Sequence, residues 1–127
     1  MHAEFILYVK DQQRSRDFYR IFLGMAPALD VPGMTAFNIG SCKLGLMPED
    51  GIARIITPAL PHPVSGTGVP RCALYLLVND LEIAVDRARH AFALPVSSIS
   101  DRDWGHRAAY FADPDGHVIA LATRITE

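Results

Sequence analysis

The sequence predicts an α+β domain built from two copies of one strand–helix–strands unit. Three observations carry this reading. The segment Glu4-Phe-Ile-Leu-Tyr-Val9 returns in character 69 positions later as Ala73-Leu-Tyr-Leu-Leu-Val78. At the same offset each is followed by an aspartate, Asp11 or Asp80, and then by apolar residues at helical spacing. Each helical stretch leads into short β-rich runs separated by turn residues. Self-similarity at a fixed offset marks a repeated structural unit.

The elements follow in order. Asp11 and Asp80 stand where a short carboxylate accepts hydrogen bonds from the unpaired N–H groups of a first helical turn. In the first copy Ser15, Phe18, Tyr19, Phe22 and Leu23 form one stripe, and Gly24 stops the helix. In the second copy Leu81, Ala84, Val85, Ala88 and Phe92 form the stripe, and Pro95 ends it. Both stripes read as helix faces packed on a sheet. The first copy continues with strands over Thr35–Ile39 and Ser41–Met47, turned at Gly40-Ser41. The second continues over Arg107–Ala112 and His117–Thr123, joined by Asp113-Pro-Asp-Gly116, a strong turn signal. Weaker runs near Pro27–Val31 and Val96–Ile99 supply a further strand to each copy. Phe37 and Tyr110 match across the copies and read as core.

The chain reads as one domain over residues 1–127: a first repeat at about 3–48, a link over 49–70 and a second repeat at about 71–125. The link is rich in proline and carries Ile52, Ile55, Ile56 and Leu60, so it is either a disordered spacer or a cover packed on something. Half of the residues are hydrophobic and the formal net charge is −2, with lysine and arginine scattered. That excludes wholesale disorder and gives no basic stripe for nucleic acid. The apolar runs are too short to span a bilayer as helices, and no basic segment followed by an apolar one precedes Glu4. The reading places the protein in the cytoplasm, with Cys42 and Cys72 as buried reduced thiols.

Leu7-Tyr-Val-Lys-Asp11, with Ser15-Arg-Asp-Phe-Tyr19 and Leu23-Gly24, resembles the first-repeat signature of the vicinal-oxygen-chelate family. This family includes glyoxalase I, extradiol dioxygenases, fosfomycin-modifying enzymes and bleomycin-resistance proteins. Trp104-Gly105-His-Arg107 and Tyr110-Phe111-Ala-Asp113-Pro-Asp-Gly116-His resemble the close of its second repeat. The resemblance implies paired βαβββ modules whose mostly antiparallel sheets curl into a cup, with helices on the convex side. It also implies a homodimer that holds a small molecule in the cup.

In enzymes of this family a divalent metal is held by His and carboxylate groups on the inner strands. The resemblance places these ligand positions at Glu4, Gly45, Ala73 and Ala120. Three of the four side chains have no donor atom, and catalytic ions normally take about three protein ligands. The chain is therefore closest in character to the metal-free, bleomycin-resistance-like branch, and no cofactor is expected. A relocated site around His2 and Glu4 is the metal-bearing alternative.

Strand alternation lines the cup with Glu4, Ile6 and Tyr8, with Met47 beside Lys43 and Gly45, with Tyr75 and Leu77, and with Ala120. Such a lining, apolar with a few polar groups, suits a small aromatic or amphipathic ligand. Replacing metal ligands by glycine and alanine is expected to open volume. Glu4 either meets a ligand cation, acts as a general base, or is solvated at the mouth. Trp104 either stacks on a ligand or packs beside Gly105. Arg107 either grips an anion or pairs with Asp101, Asp103 or Asp113. Three functions compete: a metal-free binding protein, an enzyme using a relocated metal or Glu4 or tyrosine acid–base chemistry, and an interaction module with an occluded cup.

Overall fold

A computed structural model describes residues 1–126. Its first half runs β1 (Ala3–Val9), α1 (Gln12–Leu23), β2 (Leu29–Val31), β3 (Met34–Ile39) and β4 (Cys42–Pro48). A linking helix, α2 (Glu49–Ile56), follows. The second half runs β5 (Ala73–Leu77), α3 (Leu81–His90), β6 (Leu94–Asp101), β7 (His106–Ala112) and β8 (Val118–Arg124). Each half is a βαβββ unit with a curled, unclosed, four-stranded sheet, ordered β1-β4-β3-β2 and β5-β8-β7-β6. In each sheet the first strand pairs in parallel with the last, and the other neighbours are antiparallel. Register makes the repeat concrete. Ile6 faces Gly45, which faces Ala36; in the second sheet Tyr75 faces Ala120, which faces Tyr110.

The helices α1 and α3 start as their sequences require. The carboxylates of Asp11 and Asp80 accept from the N–H groups of Arg14 and Ile83. Gly24 closes α1 at φ 69°, a left-handed backbone that glycine adopts without steric penalty. The end of α3 differs from expectation. It stops at His90, capped by Ala91, and Phe92 takes the left-handed φ of 60°. Phe92 therefore leaves the helical stripe and stands 92% exposed, while Pro95 lies within β6.

Alternation places the helix-facing sides correctly: Leu7, Val9, Leu44, Leu46, Ile119 and Leu121 are buried in one core cluster with α1 and α3. Phe5 shares that side but stands 55% exposed, in the cleft between the repeats with Phe22 and Leu74. The pairing of Phe37 with Tyr110 is corrected by register. Phe37 faces Leu44 as Phe111 faces Ile119, so Phe111 is its counterpart and is buried. Tyr110 is one residue away, and a one-residue step sends a strand side chain to the opposite face. Cys42 is half-buried at the start of β4 and Cys72 is exposed just before β5, so neither is the buried thiol expected.

The link is folded. Beyond α2 it forms a short 3₁₀ turn at Pro63–Gly66. Ile52 and Ala53 are buried, whereas Ile55 and Leu60 face outward. His62 fixes the second half of the link, with its Nε2 3.0 Å from the Asp50 carboxylate and its Nδ1 accepting from Val64 N–H. This excludes the disordered-spacer reading of the segment. Among the described residues no helix is long and apolar enough to cross a membrane.

No strand of one described sheet is hydrogen-bonded to the other. The repeats meet instead through α1 against α3 and through a polar hub at the β7–β8 turn. Tyr19 Oη, fully buried on α1, donates to Asp113 Oδ2 at 2.6 Å. Asp113 Oδ1 accepts from the N–H groups of Asp115 and His117, both at 2.9 Å. Burial, then the Asp113 charge and the hydrogen bond to it, push the Tyr19 hydroxyl well above its ordinary titration range. The unfolded chain releases that proton near the ordinary value of about pH 10, before the folded chain does. Stability linked to Tyr19 is thus intact below about pH 10 and falls as pH rises beyond it. Tyr19→Phe is expected to cost about 1–3 kcal/mol at neutral pH and to flatten the alkaline decline, as read by urea unfolding across pH 7 to about 11.

Candidate small-molecule site

Apart from Trp104, the residues that sequence assigns to the cup lie on the sheet faces turned away from α1 and α3, in two groups. Glu4, Ile6, Tyr8 and Met47 belong to the first sheet; Tyr75, Leu77 and Ala120 belong to the second, with Trp104 in the β6–β7 turn. Within this chain the two groups do not form one continuous strand ladder.

On the first sheet the vacated metal-ligand position is filled. A Cβ at Gly45 would lie 3.1 Å from Ile6 Cγ1 and 3.3 Å from Met34 Sδ. The glycine thus accommodates two aliphatic neighbours and opens no space, contrary to expectation. Glu4 sits exposed at the end of β1, opposite Lys43 in register. It shares a shallow hollow with His2, Asn38 and Lys43, and the ammonium of Lys43 opposes a cation there. Ile6 and Tyr8, with Phe5 and Leu7, also line a cavity of about 420 Å³ shared with Ile56, Leu60 and Pro61 of the link. His117 also lines that cavity, its Nε2 2.9 Å from the Tyr8 carbonyl oxygen.

On the second sheet the floor is alanine. Ala108, Ala120 and Ala122 share the helix-free face and are fully buried there. Of the two ligand positions on this sheet, Ala120 is covered and Ala73, at the start of β5, is exposed. Tyr75 stands opposite Ala120 on this face and links Trp104 and His106 in a hydrogen-bonded chain. Trp104 Nε1–H donates to Tyr75 Oη at 2.8 Å. Tyr75 Oη is 2.7 Å from His106 Nδ1, with the two rings 5.7 Å apart. Trp104 does not pack beside Gly105 as a core residue: the residue is 55% exposed and its indole is tethered at the polar edge. Leu77 is also exposed on this face.

Arg102 completes the surface. Its guanidinium carbon lies 5.2 Å from the centre of the Tyr110 ring, a cation–π distance. Its Nη2 reaches Ser97 Oγ, Ser98 O and Ala108 O, while its Nε is buried without a hydrogen-bond partner. Arg107 is not an anion grip. It points to the other face and pairs with Asp101 at 2.8 Å, which raises the pKa of the already cationic guanidinium. Sequence reasoning missed Arg102 and the Tyr75–His106 contact. The contact spans 31 residues and needs the curl of the sheet, which no local pattern encodes.

These residues do not fit a metal ion. The four family positions supply one carboxylate, and two of them, Gly45 and Ala120, are packed over. Among the described residues no group of three or more His, Cys, Asp or Glu side chains is placed to hold one.

Two βαβββ units, each with a helix on one face and an open face on the other, define a duplicated open-sheet fold. The family model described as the Glyoxalase/Bleomycin resistance protein/Dioxygenase superfamily matches residues 2–121, and the chain belongs to that family. It is 29% identical to an uncharacterized protein of Mycobacterium bovis, the match covering 95% of this chain and 82% of that one. A glyoxalase-related enzyme from Fulvimarina pelagi superposes with a TM-score of 0.81 at 22% identity, over 98% of this chain and 88% of that chain. A protein of unknown function from Agrobacterium tumefaciens superposes with a TM-score of 0.80 at 23% identity, over 98% and 94%. At these identities the structural likeness shows the fold.

Restoring a carboxylate at the first sheet's ligand position tests the packing. Gly45→Glu is expected to lower stability by about 1–3 kcal/mol in chemical denaturation, because Ile6 and Met34 must give way. It should add no tightly held nickel or zinc.

Proposed function

We propose that this protein binds a small aromatic or amphipathic molecule without metal, on the sheet faces turned away from α1 and α3. The observation that carries the reading is the substitution of one kind of site by another. At two of the family's four metal-ligand positions, Gly45 and Ala120, the chain is packed over, while Glu4 and Ala73 are exposed; on the second sheet it presents the Trp104–Tyr75–His106 chain. An exposed indole offers a stacking surface, and a tyrosine hydroxyl with an imidazole offers orienting polar contacts. Antibiotic or metabolite sequestration is the role this chemistry serves in the reading.

The same reading makes the protein a cytoplasmic homodimer that needs no cofactor and engages neither nucleic acid nor membrane. The division of the lining between two unjoined sheets supports a second copy, which would bring a first-sheet face against a second-sheet face. An enzyme using acid–base chemistry is the second reading. The Tyr75–His106 pair favours it over any role for Glu4, which lies exposed at a strand end.

Two measurements decide. Protein purified without chelator or affinity tag is expected to carry no stoichiometric metal, and to retain none after soaking in nickel, zinc, manganese or iron(II) and desalting. A tightly held ion at one per chain overturns the reading. Trp104 is the chain's one tryptophan, so its fluorescence reports directly on this face. A panel of aromatic metabolites and antibiotics is expected to include compounds that quench it saturably, and uniform silence across the panel would favour an occluded interaction module.

A further inference from the structure

The hydrogen-bonded chain on the second sheet has a direction, and that direction sets what it recognises. An indole N–H can only donate, so Tyr75 Oη must accept from Trp104. The remaining contact, Tyr75 Oη to His106 Nδ1 at 2.7 Å, has one hydrogen between two heavy atoms. With His106 neutral and its proton on Nε2, the tyrosine O–H donates to Nδ1 and the hydroxyl has no hydrogen left for a ligand. With His106 protonated, Nδ1 carries a hydrogen and must donate to Tyr75 Oη. The oxygen then accepts twice, from indole and imidazolium, and its own hydrogen turns outward.

We propose that His106 is the specificity-determining residue of this face, selecting aromatic ligands that carry an anionic acceptor such as an aryl carboxylate. The inference rests on the small-molecule reading above and adds the ligand class and its proton linkage. One proton enters from solvent onto His106 Nδ1, and the Tyr75 O–H bond rotates without breaking. The half-exposed indole of Trp104 supplies the stacking surface next to the released hydroxyl. The groups around His106 are Tyr75 from β5, Arg124 opposite it on β8, and Trp104 of the β6–β7 turn, which reaches it through Tyr75; Arg102 of that turn meets it through a backbone hydrogen bond, with its guanidinium over Tyr110 and Asp103 next in sequence. Arg107 lies on the other face, held by Asp101. Arg124 is the cation that register sets opposite His106, and protonation of His106 adds a second positive charge here. An anion thus gains a hydrogen-bond donor and a favourable field from the same event.

The test has two arms in the full chain. The first needs no ligand. Nitrogen-15 NMR of the histidine rings, assigned against His106→Gln, is expected to find the neutral His106 proton on Nε2 at about pH 8, with Nδ1 bare. A proton on Nδ1 at that pH overturns the relay. The second arm is calorimetric titration with benzoate, and with benzamide as its neutral counterpart, from about pH 8 to 5.5. Benzoate is expected to bind about tenfold tighter at the lower pH, and benzamide to change less than about threefold. His106→Gln and Tyr75→Phe should each flatten the benzoate profile. A Tyr75→Phe variant that keeps the wild-type slope would show that imidazolium charge acts alone, and would remove the hydroxyl from the proposal. If neither probe binds at any pH, the small-molecule reading of this face fails together with the ligand class assigned to it. The NMR arm tests the relay whether or not a ligand binds, so the two failures are distinguishable.

Discussion

The Asp113 carboxylate is the interaction on which the rest of this structure depends. One oxygen organises the turn it belongs to, accepting two backbone N–H groups, and the other takes the buried Tyr19 hydroxyl from the opposite repeat. That fixed turn then presents Asp115 and His117 across the boundary. Asp115 accepts from Lys10 N–H and Ser15 Oγ and pairs with Arg14. His117 meets the Tyr8 carbonyl. A buried carboxylate is tolerable only when its acceptor sites are filled, and here each oxygen has a donor. The same residues that satisfy the charge therefore decide how one repeat sits on the other.

The two repeats share a backbone plan and have diverged in what covers the open face. In the first, Gly45 lets Ile6 and Met34 close the surface with hydrocarbon. In the second, an alanine floor lets Tyr75, Tyr110 and Arg102 lie across the sheet, keeping polar atoms at the surface. Equivalent positions have thus become packing in one repeat and polar display in the other. The difference follows from the two flanks of one row, Ile6 and Ala36 against Tyr75 and Tyr110, on either side of a small central residue.

Much of this is legible in the sequence because it depends on local rules. The Asp11 and Asp80 caps, the Gly24 stop and the Asp113–Gly116 turn are all short-range devices, and each stands where its residues predict. Two-residue alternation places Leu7, Val9, Leu44 and Leu121 in the core. What fails is register. Matching Phe37 to Tyr110 instead of Phe111 is a one-residue slip, invisible without the partner strand. Phe92 misleads because an aromatic at helical spacing looks like core, whereas the helix has already ended at His90. The Tyr75–His106–Trp104 contact and the place of Arg102 arise from sheet curl and a turn, and neither leaves a periodic trace.

The absence of a backbone ladder between the two described sheets has a mechanical meaning. A continuous ladder would tie their relative angle to a row of peptide hydrogen bonds, which no side-chain change can adjust. Here the joint is made of side chains: one helix pair, an aromatic contact between Phe22 and Phe111, and the carboxylate hub. It behaves as a bolted joint behaves beside a weld. Single substitutions at the bolts can reset the angle between the open faces, and with it the shape of whatever they enclose, while both sheets stay intact.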